Sequence, residues 1–460
     1  MDNIENFPRK PPRIFMSKDT VMTPALLEKL VQKHIAFSVP RYDLLQKYYE
    51  KETKITERKM ADPEKPNNKL VNDHAGYIVD VASGYFMGKS VDYNSDDNGL
   101  IQELDNVFKA CDEGSNNYEL AKQAGIKGHS FELLYVDEDA QPRLKWQDPI
   151  ETIVVYDDSI EHNILFGIRY YLTNDLFTDT LKEHAEVYDA TKIQYYDKIN
   201  TAWVMAGEQP HNFTDVPIIE YLNNEERIGD FEGVRSLIDA YDKSQSDTAN
   251  DTEYFTDAYL VLAGYGDMEK EDIKEMKENR VLLVDKEGSA QWLIKEINDA
   301  SLENTKNRLQ KDIHRFSKVP NLTDEEFAGN LSGVALGYKL WGVEQLATIK
   351  EQKFRQAIRQ RNRLLVEFIN LKKGTSYDPE KVKIKFYRNI PKNVLEATEI
   401  VSNISGIVSR ETQLENLPIV EDVKDELKRI KKEQQEQLDG LGFTPSIQTN
   451  RTDNSPAGES

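Results

Sequence analysis

The spacing of apolar residues changes along this chain, and each change predicts a different kind of element. In the first 125 residues, apolar positions recur at helical spacing, as at Leu26, Leu27, Leu30 and Val31. This pattern predicts helices over 23–51, about 70–85 and 99–125. Short β-branched or aromatic runs between turn residues then predict strands over 131–136, 150–156, 164–172, 184–188, 193–196, 202–205 and 217–222. The first half is therefore predicted to be an α+β domain with an antiparallel sheet.

From residue 229 onward the chain is predicted to be helical and strongly acidic. Between 229 and 258 there are eight acidic residues against two basic ones. A small module follows, with a predicted helix over 270–277 and predicted strands over 280–284 and 290–294. A second helical segment covers 299–318. The pattern thus predicts two helices with a small module inserted between them.

A very long helix is predicted after a Gly-, Asn- and Ser-rich stretch at 328–337. About 31 residues between Gly342 and Gly374 contain no glycine or proline, which corresponds to roughly 46 Å of helix. A strand at 382–387 could rejoin the sheet, and helical segments at 391–410 and 419–438 follow. The end of the chain is rich in Gly, Pro, Ser and Thr, and is predicted to be disordered.

Composition narrows the possible classes of function. The 460 residues carry a formal net charge of -22, which argues against nonspecific attraction to nucleic acid. The single cysteine, Cys111, excludes an intrachain disulfide and a cysteine-rich zinc site. No run of 18 apolar residues exists, and the first 18 residues are too polar for a signal peptide. We therefore expect a soluble, cytoplasmic chain with no membrane partner.

The strongest candidate for a chemical motif is the run from Gly84 to Ser90, which ends in Gly-Lys-Ser like a phosphate-binding P-loop. It has three residues between its glycines where that loop needs four, and a predicted helix precedes it instead of a strand. A turn at the end of a helix explains the run better. The Gly264-Tyr265-Gly266 run lacks the third glycine and the strand of a dinucleotide site.

Other candidate chemistry is equally sparse. Seven histidines are scattered with no pair at i,i+4, so no metal site is predicted. The acidic pairs at 157–158 and 325–326 could hold Mg²⁺, but solvated surface is the simpler reading in a chain with 81 carboxylates. We predict neither a cofactor nor catalytic residues. The pattern alone leaves an extended assembly and an ordinary helical bundle as alternatives.

An ordered series of motifs resembles the portal proteins of tailed bacteriophages, of the long-tailed siphophage type. The series includes 68–72 (Asn-Lys-Leu-Val-Asn), 83–91, 148–149, 155–157, 216–224, 229–232, 237–241 and 246–247. Its most specific part is Val216-Pro217-Ile218-Ile219-Glu220-Tyr221-Leu222-Asn223-Asn224. Ser90 departs from the pattern, because members often have proline there. The resemblance covers about 25–400 and weakens over the last 50 residues.

The resemblance implies a non-enzymatic ring, usually of twelve subunits, at one capsid vertex of a virion assembled in the host cytoplasm. Double-stranded DNA would be packaged and later ejected through the channel of this ring. The implied partners are the terminase large subunit, the major capsid and scaffolding proteins, and a head-completion or adaptor protein. A non-channel scaffold or adaptor and, on the sole support of the P-loop-like run, a nucleotide-hydrolysing enzyme stay open as alternatives.

The resemblance also implies a portal fold divided into named regions. These are a wing at 1–228, stem helices at 229–264 and 299–318, a clip at 265–298, a tunnel loop at 319–337, a long helix with a returning wing strand at 338–390, a crown at 391–440 and a disordered tail at 441–460.

Candidate functional residues follow from these regions. The residues expected nearest the DNA are Lys318, Asn321, Asn330, Ser332 and Lys339, and Gly329, Gly333 and Gly337 are expected to let the loop move. Replacing these glycines with bulkier residues is predicted to harm DNA passage more than ring assembly. Candidate partner-binding residues in the clip are Lys270, Glu271, Lys274, Lys277 and Glu287. The long helix has nine basic and three acidic residues from 339 to 373, so it is predicted to pair with an acidic face of a neighbouring subunit.

Overall fold

The computed structural model describes residues 13–63, 65–176, 179–255, 259–263, 271, 289–293, 299–323, 333–390, 394–415, 417, 419–420 and 423–440. Two compact units divide the chain, Met1–Asn389 and Ile390–Ser460. The architecture is mixed α/β, with helices and sheets in the first unit and helices in the described part of the second. The tail at 441–460 lies outside the described residues.

The N-terminal third of the chain is mainly helical and begins with a two-residue strand. Its elements are β1 (Phe15–Met16), α1 (Pro24–Phe37), α2 (Val39–Tyr49), α3 (His74–Met87), β2 (Asp92–Asn94), α4 (Asn98–Cys111) and α5 (Glu113–Lys127). The helix predicted over 23–51 is broken at Ser38, because Pro40 lacks the N–H that a continuous helix needs. The helix predicted over 99–125 is likewise two helices, joined at Asp112, whose φ of 49° is left-handed.

The P-loop-like run lies at the C-terminal end of α3. The N–H of Gly88 donates to the carbonyl of Gly84, which closes the last turn, and β2 follows. The prediction of a helix-end turn is confirmed. At its other end α3 begins at His74, later than predicted, because Asp73 caps the helix by accepting a hydrogen bond from Gly76 N at 3.1 Å.

The predicted single antiparallel sheet is in fact two sheets. Their strands are β3 (His129–Val136), β4 (Pro142–Gln147), β5 (Thr152–Asp157), β6 (Ile164–Asp175), β7 (Thr180–Tyr188), β8 (Lys192–Ile199), β9 (Ala202–Pro210) and β10 (Ile218–Leu222). One sheet has the order β1-β5-β6-β7-β8-β9, with β1 parallel to β5 and the other pairs antiparallel. The other is antiparallel in the order β10-β3-β4, and pairs Leu134 with Leu144.

The acidic segment forms a shorter helix than predicted. The elements from this segment onward are α6 (Arg235–Phe255), β11 (Tyr259–Ala263), β12 (Ser289–Leu293) and α7 (Asp299–Ser317). The predicted helix to residue 264 is wrong at its end, because the apolar run 259–263 pairs antiparallel with β12. A strand was predicted at 290–294 and is present, whereas the strand at 280–284 and all but Glu271 of the helix at 270–277 lie outside the described residues.

The long helix α8 (Gly333–Lys373) has 41 residues, a length of about 61 Å. It begins nine residues before Gly342, so the irregular loop predicted up to residue 337 ends earlier. The returning strand β13 (Lys383–Lys385) pairs with β2 and does not rejoin either larger sheet. The second unit contains α9 (Val394–Asn403), α10 (Arg410–Glu415) and α11 (Val423–Gly440).

Two apolar clusters position these elements in the first unit. One packs Leu27, Leu30 and Val31 of α1 on the six-stranded sheet. The other joins α2 and α3 to Ile238 of α6 and to Ile313 of α7. The second cluster therefore fixes the start of α6 and the end of α7 against the same helices.

Candidate functional site

The segment that leaves α7 is held in a defined conformation before it reaches the candidate loop. Lys318 follows the last helical residue and has a left-handed φ of 62°, which turns the backbone away from the helix axis. The next residue, Val319, is fully buried in the apolar cluster of α2 and α3. Nδ1 of His314 lies 3.0 Å from the carbonyl oxygen of Val319. The left-handed residue and the buried one together fix where the segment begins.

Tyr77 of α3 holds the following residues through its phenol oxygen. This oxygen donates to the carbonyl of Pro320 at 3.1 Å and accepts from the N–H of Leu322 at 2.7 Å. The Tyr77 ring also packs edge-on against His314. Burial raises the pKa of Tyr77, so the phenol stays protonated and keeps its donor at neutral pH. The base of the segment is therefore attached to α3 on both sides of Asn321.

Gly342 lets α8 pass directly beside this base. A Cβ added at Gly342 would lie 2.8 Å from the carbonyl oxygen of Lys318. Since real Cβ atoms essentially never approach a backbone atom this closely, a side chain would push the end of α7 and α8 apart. A Cβ added at Gly337, one turn nearer the helix start, would meet no atom within 4 Å.

These two glycines form a matched pair for a stability experiment. Alanine gains about 1 kcal/mol of helix propensity over glycine at either position, so the difference between the variants isolates the contact with Lys318. Gly342→Ala is expected to be less stable than Gly337→Ala by about 1–3 kcal/mol, the usual cost of overpacking. Urea unfolding measures the difference, and equal stabilities would contradict the close approach.

The residues predicted to lie nearest the DNA are only partly brought together. Lys318 is exposed at the base, and Lys339 is half-buried on α8. The side chain of Asn321 accepts hydrogen bonds from the N–H and hydroxyl of Thr323, which makes a local turn. Gly333 is the first residue of α8 and Gly337 lies in its second turn, so neither belongs to an irregular loop. Gly329, Asn330 and Ser332 lie outside the described residues.

The first turns of α8 expose an apolar stripe that the sequence reading missed. Val334, Tyr338 and Trp341 are 71%, 79% and 62% exposed, and their spacing of four and three residues places them on one helix face. Leu340 and Val343 of the same helix are buried. The helix therefore carries one exposed and one buried set of apolar residues. Counting apolar residues at helical spacing could have found both sets in the sequence.

The basic residues of α8 find most of their partners within the chain. Six of the nine pair with carboxylates, namely Lys350 with Asp230, Lys353 with Glu225, Arg355 with Glu351, Arg361 with Glu113, Arg363 with Asp215 and Lys373 with Glu103. The predicted pairing with a neighbouring subunit therefore has much less charge available than the sequence count suggests. Five of these pairs join α8 to other parts of its own unit, and Arg355 pairs with Glu351 within the helix.

Two of these pairs are buried and connect α8 to separate elements. Nζ of Lys350 lies 2.5 Å from Asp230, and both side chains are almost completely buried. Arg361 is fully buried and donates to Glu113 at the start of α5 and to Glu132 on β3. Charge counting could not find these contacts, because it does not distinguish buried from exposed cations.

The candidate clip residues are mostly beyond the described part of the chain. Glu271 is exposed, and Lys270, Lys274, Lys277 and Glu287 lie outside the described residues. β11 and β12 form the described part of this module, in register from Tyr259 opposite Leu293 to Ala263 opposite Ser289.

The acidic pair at 157–158 has a structural role at its first member. Asp157 is buried, accepts hydrogen bonds from Ser159 and from Asn163 N, and forms an ion pair with Lys18. The pair at 325–326 lies outside the described residues. Within the described ranges, no three His, Cys, Asp or Glu side chains group as metal ligands would.

The described helices include none that is both long and apolar enough to span a membrane.

Comparison with known proteins identifies the family. The family model described as "Phage portal protein, SPP1 Gp6-like" matches residues 28–439. The chain belongs to this family. It is thus a phage portal protein, a component of the capsid vertex that serves DNA packaging and connects head to tail. The family implies a ring oligomer that handles DNA, and its members are structural components, not enzymes.

Two curated portal proteins resemble this one over most of their length. That of Bacillus phage SPP1 is 27% identical over 394 residues, covering 82% of this chain and 78% of the relative. That of Clostridium phage phiCD119 is 24% identical over 390 residues, covering 78% of this chain and 83% of the relative. A solved chain from the neck of a native GTA particle, computed with C12 symmetry, is 13% identical with a TM-score of 0.43. The match covers 75% of this portal protein and 90% of the solved chain.

Proposed function

We propose that this portal protein forms a ring of twelve subunits, the usual number in the family. The channel of this ring passes double-stranded DNA inward during packaging and outward during ejection. The proposal is supported by the described residues on either side of 324–332: the base that begins at Lys318 after α7, and the 41-residue helix α8 that begins at Gly333. This arrangement suits a loop that must follow DNA without disturbing the ring.

We assign the regions named from the sequence to the described elements, with adjusted bounds. The helices and two larger sheets before α6 are assigned to the wing, α6 and α7 to the stem, and the module with β11 and β12 to the clip. The segment from Lys318 to the start of α8 is assigned to the tunnel loop, and the second unit to the crown. The clip is the proposed contact for the terminase large subunit and later for a head-completion or adaptor protein.

The charge of the chain supports passage of DNA without tight binding. Twelve copies with a net charge of -22 give a ring of about -260 formal charges. Phosphates are repelled by acidic walls, and few ion pairs then form that would have to break as DNA moves. Contacts with DNA are accordingly proposed for a few basic positions, chiefly Lys318 and Lys339.

Electron microscopy of the purified full-length chain tests the ring directly. A ring with a central hole is the expected image. Monomers or open clusters would instead favour a non-channel scaffold or adaptor. Binding of ATP by the purified chain would revive the enzyme alternative.

Neutralising the two candidate lysines is expected to alter DNA packaging. Lys318→Ala and Lys339→Ala should each change the packaging rate severalfold and weaken its dependence on salt, because each removes a ring of charges near the phosphates. The matched control is Lys29→Ala, which removes an exposed lysine from α1. Rates and salt dependence equal to those of the control in both variants would contradict the assignment of these lysines to the channel.

A further inference from the structure

Residues 67–72 run along α6 without forming a helix or strand of their own. Three alternate N–H groups of this segment donate to three side chains on one face of α6. The bonds join Asn68 N to Asn250 Oδ1 at 2.7 Å, Leu70 N to Ser246 Oγ at 2.9 Å, and Asn72 N to Asp242 Oδ1 at 2.9 Å. The segment therefore runs antiparallel to the helix, and every second N–H of the segment is bonded to a side chain of α6.

The N–H groups of the segment align with the acceptors on α6 because two regular spacings are nearly equal. Alternate residues of an extended chain are about 6.6 Å apart along the chain, and residues four apart in an α-helix rise about 6.0 Å. Over three bonds the two repeats differ by only about 1 Å, which side chains absorb easily. A polar acceptor at every fourth helix position can thus satisfy every second N–H of an extended chain.

The part of α6 that carries these acceptors has few aliphatic side chains. The first turns of α6 pack their apolar residues, among them Ile238, into the cluster of α2 and α3. From Asp242 to Phe255 the helix contains no Val, Leu, Ile or Met. The side chain of Leu70 is 41% exposed, so apolar burial at that position does not fix the segment either. The hydrogen bonds to this segment therefore add to the packing of α6 on α7.

Further polar contacts from Thr53 and Arg58 hold the segment and α6 together. Asp242 and Ser246 are fully buried, and Asp242 also accepts a hydrogen bond from the hydroxyl of Thr53 at 2.6 Å. Arg58 donates to the carbonyl of Asn68 and to Asp247 Oδ1, so it bridges the segment and the helix. These contacts allow the segment only one position along α6. A shift by one helix turn would bring Asn68 N opposite residue 254 and break its hydrogen bond to Asn250.

We propose that residues 67–72 are a register lock, which fixes the axial position and rotation of the second half of α6 relative to the helices before it. The lock's role in DNA handling rests on the proposed function, in which α6 belongs to the stem. A stem helix locked in register transmits its displacement to the wing instead of sliding past it. The side-chain amides of Asn68 and Asn72 also donate to Asn250 Oδ1 and Asp242 Oδ1, which gives a physical reason for the two asparagines of the 68–72 run.

Amide hydrogen exchange at residue resolution on the purified full-length chain tests the lock. The amides of 68, 70 and 72 are expected to exchange slowly, and those of Lys69 and Val71 to exchange faster. Ser246→Ala removes the acceptor of Leu70 N and should accelerate exchange of that amide about tenfold, the equivalent of one hydrogen bond. The matched control is Thr248→Ala, because that hydroxyl donates to the carbonyl of Ser244 within α6 and not to the segment. Uniformly fast exchange over 67–72, or an unchanged Leu70 amide in Ser246→Ala, would overturn the lock.

A functional arm separates the lock from the proposed function. The double variant Ser246→Ala/Asn250→Ala is expected to assemble like the wild type, as seen by electron microscopy, but to package DNA more slowly than Thr248→Ala. Normal packaging together with a deprotected segment would overturn transmission through the lock. The exchange pattern does not depend on a ring, so the failure of the wild-type chain to form one would count against the proposed function alone.

Discussion

Arg361→Met is expected to destabilise the first unit by about 3–5 kcal/mol, the usual result of leaving buried charges without their partner. The guanidinium is fully buried and joins three elements. It donates to Asn117 Oδ1 at 2.8 Å, Tyr93 OH at 2.5 Å, Glu113 Oε1 at 2.6 Å and Glu132 Oε1 at 3.4 Å. Without it, two carboxylates stay buried, with only hydroxyl and amide donors from Tyr93, Tyr221, Asn116 and Asn117.

The same variant is expected to depend on pH in a definite direction. Burial raises the pKa of Glu132 in the native protein, and Arg361 is the largest influence that opposes this rise. Loss of Arg361 raises the folded pKa further above the unfolded value. A carboxyl shifted in this way costs stability as pH rises from its unfolded pKa to its folded one. The defect of Arg361→Met should therefore be smaller near pH 5 than near pH 8.

Urea unfolding at both pH values checks the size and the sign of this effect. Arg359→Met is the matched control, since Arg359 lies on the same helix with an exposed side chain and its loss should change stability by less than about 0.5 kcal/mol. A defect in Arg361→Met that grows as pH falls would contradict the role of the two carboxylates.

Lys350→Met is expected to have the second large effect, again about 3–5 kcal/mol. Its partner Asp230 lies just before α6 and would keep a hydrogen bond only from Asn223 Nδ2, at 2.9 Å, among the side chains of the described residues. An almost completely buried carboxylate with one neutral donor is strongly destabilising. The variant should therefore loosen α8 from the start of α6 as well as lower overall stability.

A control one turn away distinguishes burial from mere pairing. Lys353→Met removes a cation whose partner, Glu225, is largely exposed, and pairs of that kind contribute about 0–1 kcal/mol. Urea unfolding of both variants gives the comparison. Similar losses of stability in Lys350→Met and Lys353→Met would show that the Lys350 pair is no more important than a surface pair.

Sequence patterns located most elements, because these patterns extend over many residues or end sharply. The helix predicted over 299–318 ends at Ser317, and the strand predicted over 164–172 extends to Asp175. The misses have physical causes. β4 begins with Pro142 and includes charged residues, so it lacks a continuous apolar run. A short apolar run such as 259–263 fits a helix or a strand until its partner strand is known.

The candidate site was only partly accessible from sequence. Lys318 could be placed at the base of the loop from its position between helical patterns. Its left-handed backbone and its contact with Gly342 could not be predicted, because they depend on how two helices approach across 24 positions. The partners of Lys350 and Arg361 are more than 100 positions away in sequence, where periodicity has no information.

The two buried cations of α8 also determine how the helix responds to force. Lys350 and Arg361 are 11 residues apart, close to three full turns, so both anchors lie on one face about 16 Å apart. A helix held at two such points resists tilting there. The first two turns of α8 come before the buried residues Leu340 and Val343. The tilt of α8 between Lys350 and Arg361 should therefore stay constant when the first two turns of the helix are deflected.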